Sequence, residues 1–144
     1  MKVKKKHFIV LYCEDWSSPL KTSKHHYLNR LVKEGHKILY VEVPLNPISY
    51  FFKPRYYFSK ENLNAFKGIR RINKNLYCLK FFVPLPYHPM LGFMFDNNLI
   101  NYFNQKFATF ILKKYSKRLN LVELEAIVYY PMIYPVINDL KIKK

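Results

Sequence analysis

The chain has 144 residues and a mass of 17.5 kDa, which suits one domain and excludes a complete two-domain enzyme. With 50% hydrophobic and 18% aromatic residues, a domain of this size buries roughly 68% of its unfolded surface, which excludes disorder. The 25 Lys+Arg and 9 Asp+Glu leave a net charge of +16, yet the basic residues are dispersed and only Lys4-Lys5-Lys6 forms a tract. Composition alone therefore points to a general basic bias and not to a dedicated nucleic-acid surface.

The near-continuous apolar run from His7 to Cys13 predicts a strand buried on both faces of a parallel sheet. Glu14 and Asp15 follow it at once with no small-residue cleavage site, which argues against a signal peptide. After a polar loop, Tyr27, Leu28, Leu31 and Val32 recur at helical spacing. Thr22 or Ser23 stands where a cap belongs and Gly35 where a helix-ending glycine belongs, so a helix is expected over 23–34. Residues 37–43 form a β-branched and aromatic run closed by Pro44, a second strand that completes a βαβ unit.

Pro44, Pro47 and Pro54 interrupt the next stretch, in which aromatics crowd up to Phe58, and residues 44–68 read as an irregular lobe. Two strands are expected around an Asn-rich turn, 68–72 and 76–83, stopped by Pro84, Pro86 and Pro89. A single apolar stripe over 98–117 marks the longest helix, and 126–130 another buried strand ending at Pro131. A short helix start is expected over 135–140. Residues 141–144 then look like the lead-in to a further strand, as if the chain were the front part of a longer protein. The fold class expected is α/β, a Rossmann-like, mainly parallel sheet with flanking helices.

No apolar stretch reaches the ~18 residues that a spanning helix needs, so a cytoplasmic or peripheral chain is expected. Cys13 and Cys78 lie inside apolar runs and read as small packing groups, while His7, His36 and His88 are too scattered for metal ligation.

In an open α/β sheet ligands bind beyond the carboxyl ends of the strands, which directs attention to the loop 14–22 and the helix start behind it. That loop contains no glycine, so it offers no GxGxxG or Walker cradle for a pyrophosphate. It does carry the only Trp, two acids and a Lys/Ser/His group at a helix start, where free amides favour an anion. Asp15 is the one candidate general base, or else a turn cap. Trp16 either stacks on a sugar or base or closes the core like a lid. Lys21, Ser23 and Lys24 are candidate phosphate contacts, lysines that otherwise face solvent. His26 is a candidate donor or acceptor contact, and His25 reads as structural. Glu42 meets a ligand hydroxyl or is a buried acid satisfied by amides, and Tyr130 would line the same crevice. In the lobe, Phe51, Phe52, Lys53, Arg55 and Tyr56 interleave aromatic and basic groups, which suits an anionic bilayer or packing against other parts of the protein.

Asp15-Trp16, Pro19, Ser23, His25-His26, Gly35-His36 and Leu39-Tyr40-Val41-Glu42 with Pro44 together form a recognisable pattern. With Val83-Pro84-Leu85-Pro86 and Tyr129-Tyr130-Pro131, it resembles the opening half of bacterial glycosyltransferases of the two-Rossmann-domain GT-B fold, group 1, teichuronic-acid-biosynthesis-like. The resemblance implies that residues 1–144 are an N-terminal, acceptor-side domain of an enzyme that moves a sugar from a nucleotide-sugar donor to a cell-surface glycan or lipid-linked acceptor. It implies that the donor is held by a C-terminal domain with no counterpart in this sequence, that the chain alone is inactive and binds no cofactor, and that the protein works at the inner membrane face. The alternative from composition is a basic single-domain binding protein for nucleic acid or an anionic surface, which strong salt dependence would reveal.

Overall fold

The computed structural model describes residues 5–19, 21–46, 50–51, 53–85, 98–129, 134–140 and 142. Phe52, His88, Tyr130 and most of the segment 141–144 lie outside the described residues. Five strands form one mixed sheet: β1 (His7–Cys13), β2 (Lys37–Glu42), β3 (Ile69–Arg71), β4 (Leu76–Leu79) and β5 (Leu124–Val128). Their spatial order is β3-β4-β2-β1-β5. β1, β2, β4 and β5 run parallel, and only the short β3 is antiparallel, paired with β4. The four parallel strands thus stand in the order third, second, first, fourth, the arrangement of a doubly wound sheet and compatible with a Rossmann-like fold.

The helices with bounds among the described residues are α1 (Ser23–Lys33), α2 (Pro54–Tyr57), α3 (Lys60–Lys67), α4 (Asn98–Arg118) and α5 (Tyr134–Leu140). Strand alternation divides the apolar residues into two cores. Phe8 and Val10 of β1, Ile38 and Tyr40 of β2, and Leu76 and Cys78 of β4 point to one side, where Leu28 and Leu31 of α1 cover them. Ile9, Leu11, Leu39, Val41 and Leu79 point to the other, under Ala108 and Leu112 of α4 and Val136 and Ile137 of α5. Burial on both faces explains why β1 and β2 read as unbroken apolar runs.

One break in this alternation positions the site. Tyr12 adopts φ 54°, and the pairing of β1 with β2 shifts register between Val10 and Cys13. Tyr12 therefore packs on the α4 side beside Leu11, and Cys13 returns to the α1 side. A bulge of this kind re-aims everything downstream; here that is the loop 14–22.

Two further regions depart from the expectations drawn from sequence. The 44–68 lobe holds α2 and α3: Pro54 starts α2, and Ser59 caps α3 by accepting the Asn62 N–H at 3.3 Å. The last strand begins two residues earlier than its apolar run, because Leu124 and Glu125 already pair with His7 and Phe8. No helix among the described residues is long and apolar enough to cross a membrane.

Candidate functional site

β1 neighbours β2 on one side and β5 on the other, and in a doubly wound sheet the crevice for a ligand forms at such a switch point, beyond the carboxyl ends of the strands, here β1 and β5. The loop 14–22 occupies that end of the sheet. Glu14 accepts a hydrogen bond from Thr22 Oγ1 at 2.9 Å and pairs with Lys24 Nζ at 2.7 Å. Lys24 Nζ in turn lies 4.7 Å from the centre of the Tyr129 ring, just past β5. Partial burial works to raise the Glu14 pKa, but the Lys24 hydrogen bond and charge, the Thr22 hydroxyl and a backbone amide together bring it down to about 2. This Glu14–Lys24–Tyr129 group forms the rim of the crevice.

On the other side of β1, toward β2, β4 and β3, four charges meet. Glu42, at the end of β2, is wholly buried. Its Oε1 accepts the Trp16 N–H at 3.0 Å and the Arg70 Nη2 at 2.6 Å. Lys80, also buried, donates to Asp15 Oδ2 at 3.1 Å and stands 3.9 Å from Glu42 Oε2. The other Asp15 oxygen takes the Ser17 N–H at 2.8 Å and the Ser17 hydroxyl. Two acids and two bases make the cluster neutral overall, which is the condition for burying charge at tolerable cost. Burial pushes the Glu42 carboxyl above its usual range, with the Trp16 amide and Arg70 opposing. Burial acts the same way on Asp15, but the Ser17 donors and Lys80 prevail and hold it low. A carboxylate with both oxygens engaged and a depressed pKa is a weak proton acceptor near neutrality, so in this arrangement Asp15 anchors the loop to β4.

Trp16 packs its ring edge-on to Tyr40 at 5.0 Å and tilted against His25 at 4.7 Å. It closes the α1-side core, as one of its two readings anticipated. Lys21 folds back to donate to the Trp16 carbonyl and lies over its ring. His25 faces inward and accepts the Thr22 N–H at 3.2 Å, a capping box with histidine in the place of Glu or Gln. Burial, with the Lys21 charge, lowers its pKa, so the imidazole is neutral and keeps the acceptor at Nδ1 that the cap needs.

The structure thus brings Asp15, Trp16, Lys21, Lys24 and Glu42 together. Ser23 opens α1 at the surface near them. His26 points away, to a shallow groove it shares with Asn29, Arg30 and Asn73, because adjacent helix positions differ by about 100° around the axis. Phe51, Lys53, Arg55 and Tyr56 are exposed in the lobe, and Tyr130 is outside the described residues. Two residues of the cluster escaped sequence reasoning, Arg70 on β3 and Lys80 after β4. The available signal was a lysine set in the apolar run 76–83, where burial demands an acidic partner.

His7 accepts the Val122 N–H and His36 the Lys6 N–H; among the described residues no three His, Cys, Asp or Glu groups converge as metal ligands. Comparison with protein-family models, with characterised proteins and with solved structures finds no match to this chain.

Proposed function

We propose that this chain is the acceptor-side, Rossmann-like domain of a glycosyltransferase, whose nucleotide-sugar donor is held by a second domain of a longer protein. The observation that carries the reading is the combination of a doubly wound strand order with a glycine-free loop that closes on itself. Lys21 caps Trp16, Asp15 holds Ser17 and Lys80, and Glu14 holds Thr22 and Lys24. The loop's polar groups are thus spent within the protein, and it presents no amide cradle for a diphosphate. Beside the closed loop stand Tyr129 and the Glu14–Lys24 ion pair, an aromatic ring next to charged groups, a combination that suits the C–H faces and hydroxyls of a saccharide. In such a reaction an acceptor hydroxyl oxygen bonds to the anomeric carbon as the bond to the nucleoside diphosphate breaks, and the hydroxyl proton passes to the leaving diphosphate or to water. This domain would orient the hydroxyl.

The test is amide and side-chain NMR of the labelled chain with two probes, UDP-N-acetylglucosamine and an undecaprenyl-diphosphate-linked disaccharide in mixed micelles. The glycan should shift Lys24, Tyr129 and Trp16 resonances relative to empty micelles, and the Tyr129→Ala variant should lose the effect. Micromolar binding of the nucleotide sugar at the loop 14–22 would sink the acceptor-side reading. So would specific binding of an oligonucleotide at physiological salt, which would favour the basic binding protein instead.

A further inference from the structure

We infer that the outer faces of α3 and α4 form a docking surface for an anionic lipid bilayer. The inference gives the expected work at a membrane face a specific surface, and its test reads vesicle binding alone, so it can fail while glycan binding stands. α3 and α4 are neighbours across a groove of about 250 Å³ lined by Phe66, Lys67, Phe107, Ile111 and Tyr115. The buried positions of α4, Asn104, Ala108 and Leu112, face the sheet. On the opposite side Leu99, Tyr102, Phe103 and Phe110 are exposed, Phe110 by 62%, and across the groove Leu63 and Phe66 of α3 are exposed as well, Phe66 by 66%. Large apolar groups standing in water on two adjacent helices mark an interaction surface.

The charges around them choose the partner. Lys60 and Lys67 of α3 and Lys106, Lys113, Lys114 and Lys117 of α4 are exposed, and α4 contains no acid in its 21 residues. Lys106 pairs with Asp139 of α5 at 2.7 Å. A second copy of a chain carrying +16 would meet like charge here. The exposed apolar groups mix leucines with aromatic rings, which suits acyl chains better than a row of stacked bases. An anionic headgroup layer over acyl chains satisfies both features, since lysines pair with headgroups and apolar side chains enter the acyl boundary of a helix lying in the membrane plane. The lobe continues this character with exposed Phe51, Lys53, Arg55 and Tyr56, and Phe82 links it to α3 by packing on both Tyr57 and Phe66.

The experiment is flotation of the chain with vesicles of phosphatidylcholine, alone or mixed equally with phosphatidylglycerol. Partitioning onto the anionic vesicles should be at least tenfold stronger, given about tenfold or less per basic residue at the surface. The double variant Phe66→Ser/Phe110→Ser should lower it about tenfold or more, as should Lys113→Glu/Lys114→Glu. Tyr27→Ser, an equally exposed aromatic on α1 across the sheet, should leave it unchanged. All these positions are exposed, so unaltered thermal unfolding verifies the fold of each variant. Equal binding to both vesicle types, loss with Tyr27→Ser, or indifference to the Phe pair would overturn the proposal. So would a dimer, or a single-stranded oligonucleotide complex, that the Phe pair abolishes.

Discussion

At the scale of single residues, the buried cluster beneath the loop 14–22 sets the energetics. Arg70 is the closest cation to the wholly buried Glu42, and removing one member of such a pair strands the other. Arg70→Met should therefore destabilise the fold by about 3 kcal/mol at neutral pH, the range found when one partner of a buried pair is deleted. The pH dependence follows from Glu42, whose pKa is raised on folding by burial. A raised carboxyl favours the folded state most below the ordinary Glu range and loses that advantage as the pH climbs through the folded value. Without Arg70 that value rises further, so the variant's deficit in urea unfolding should shrink as the pH falls toward about 4.5. A deficit independent of pH would mean that Arg70 acts through packing alone. Glu14 behaves in the opposite sense. Its pKa, lowered to about 2, gives stability that is complete above the ordinary Glu range and lost as the pH falls through about 2. The group is partly exposed, so solvent screening limits Glu14→Gln to about 1 kcal/mol at neutral pH, with the two proteins converging near pH 2.

At the scale of elements, helix ends decide what tolerates change. α1 and α4 both close with a Schellman motif. In α1 the Gly35 and His36 N–H groups bond to Val32 and Leu31 carbonyls at 3.0 and 3.1 Å, and in α4 those of Asn120 and Leu121 bond to Lys117 and Ser116 at 3.0 and 2.9 Å. Gly35 sits at φ 90° and Asn120 at φ 50°. A methyl at Gly35 meets only the end of the Lys5 side chain at 3.5 Å, so Gly35→Ala should cost the backbone penalty alone, about 1–2 kcal/mol. Gly68 differs: a Cβ there falls 2.5 Å from the Tyr115 hydroxyl, so Gly68→Ala must also displace Tyr115 from the seam between α3 and α4. Thermal melts should rank Gly68→Ala below Gly35→Ala, and Gly68→Ala combined with Tyr115→Phe should recover part of the difference. Gly35 was legible in sequence because a glycine ending an apolar period has one common use. α2 and α3 were not, since three prolines and crowded aromatics hid a cap whose evidence is Ser59 with Asn62. Of the two histidines of α1, His25 was legible as structural and caps the helix from inside, whereas His26, read as a site contact, points away, because one residue of helix phase separates a core position from solvent. Arg70 and Lys80 stand 28 and 65 residues from the acids they meet, so although a lysine within the apolar run marks Lys80 as buried, no local pattern names its partner.

At the scale of the whole molecule, the two cores share one sheet and should fail together. Ile9 and Val10 are neighbours on β1, and so are Leu39 and Tyr40 on β2, yet within each pair the side chains serve opposite cores. Loss of either helix layer therefore removes support from strands that the other layer also needs. The protein carries its own reporters for this: Trp16, its only tryptophan, belongs to the α1-side core, whereas Leu112 of α4 is wholly buried in the opposite one. Leu112→Ala deletes buried apolar volume far from Trp16 and should cost about 3 kcal/mol, as large-to-small core changes do. If the sheet couples the layers, Trp16 fluorescence and far-ultraviolet circular dichroism will report one coincident urea transition, shifted equally by the substitution. The strained backbone at Tyr12 joins both cores to the loop that carries the Asp15–Lys80 and Glu42–Arg70 pairs, so the same transition should also release the candidate site. If Trp16 fluorescence kept its original midpoint while circular dichroism moved, the α1 layer and its loop would be an independent folding unit, and the site would owe its geometry to β1, β2 and α1 alone.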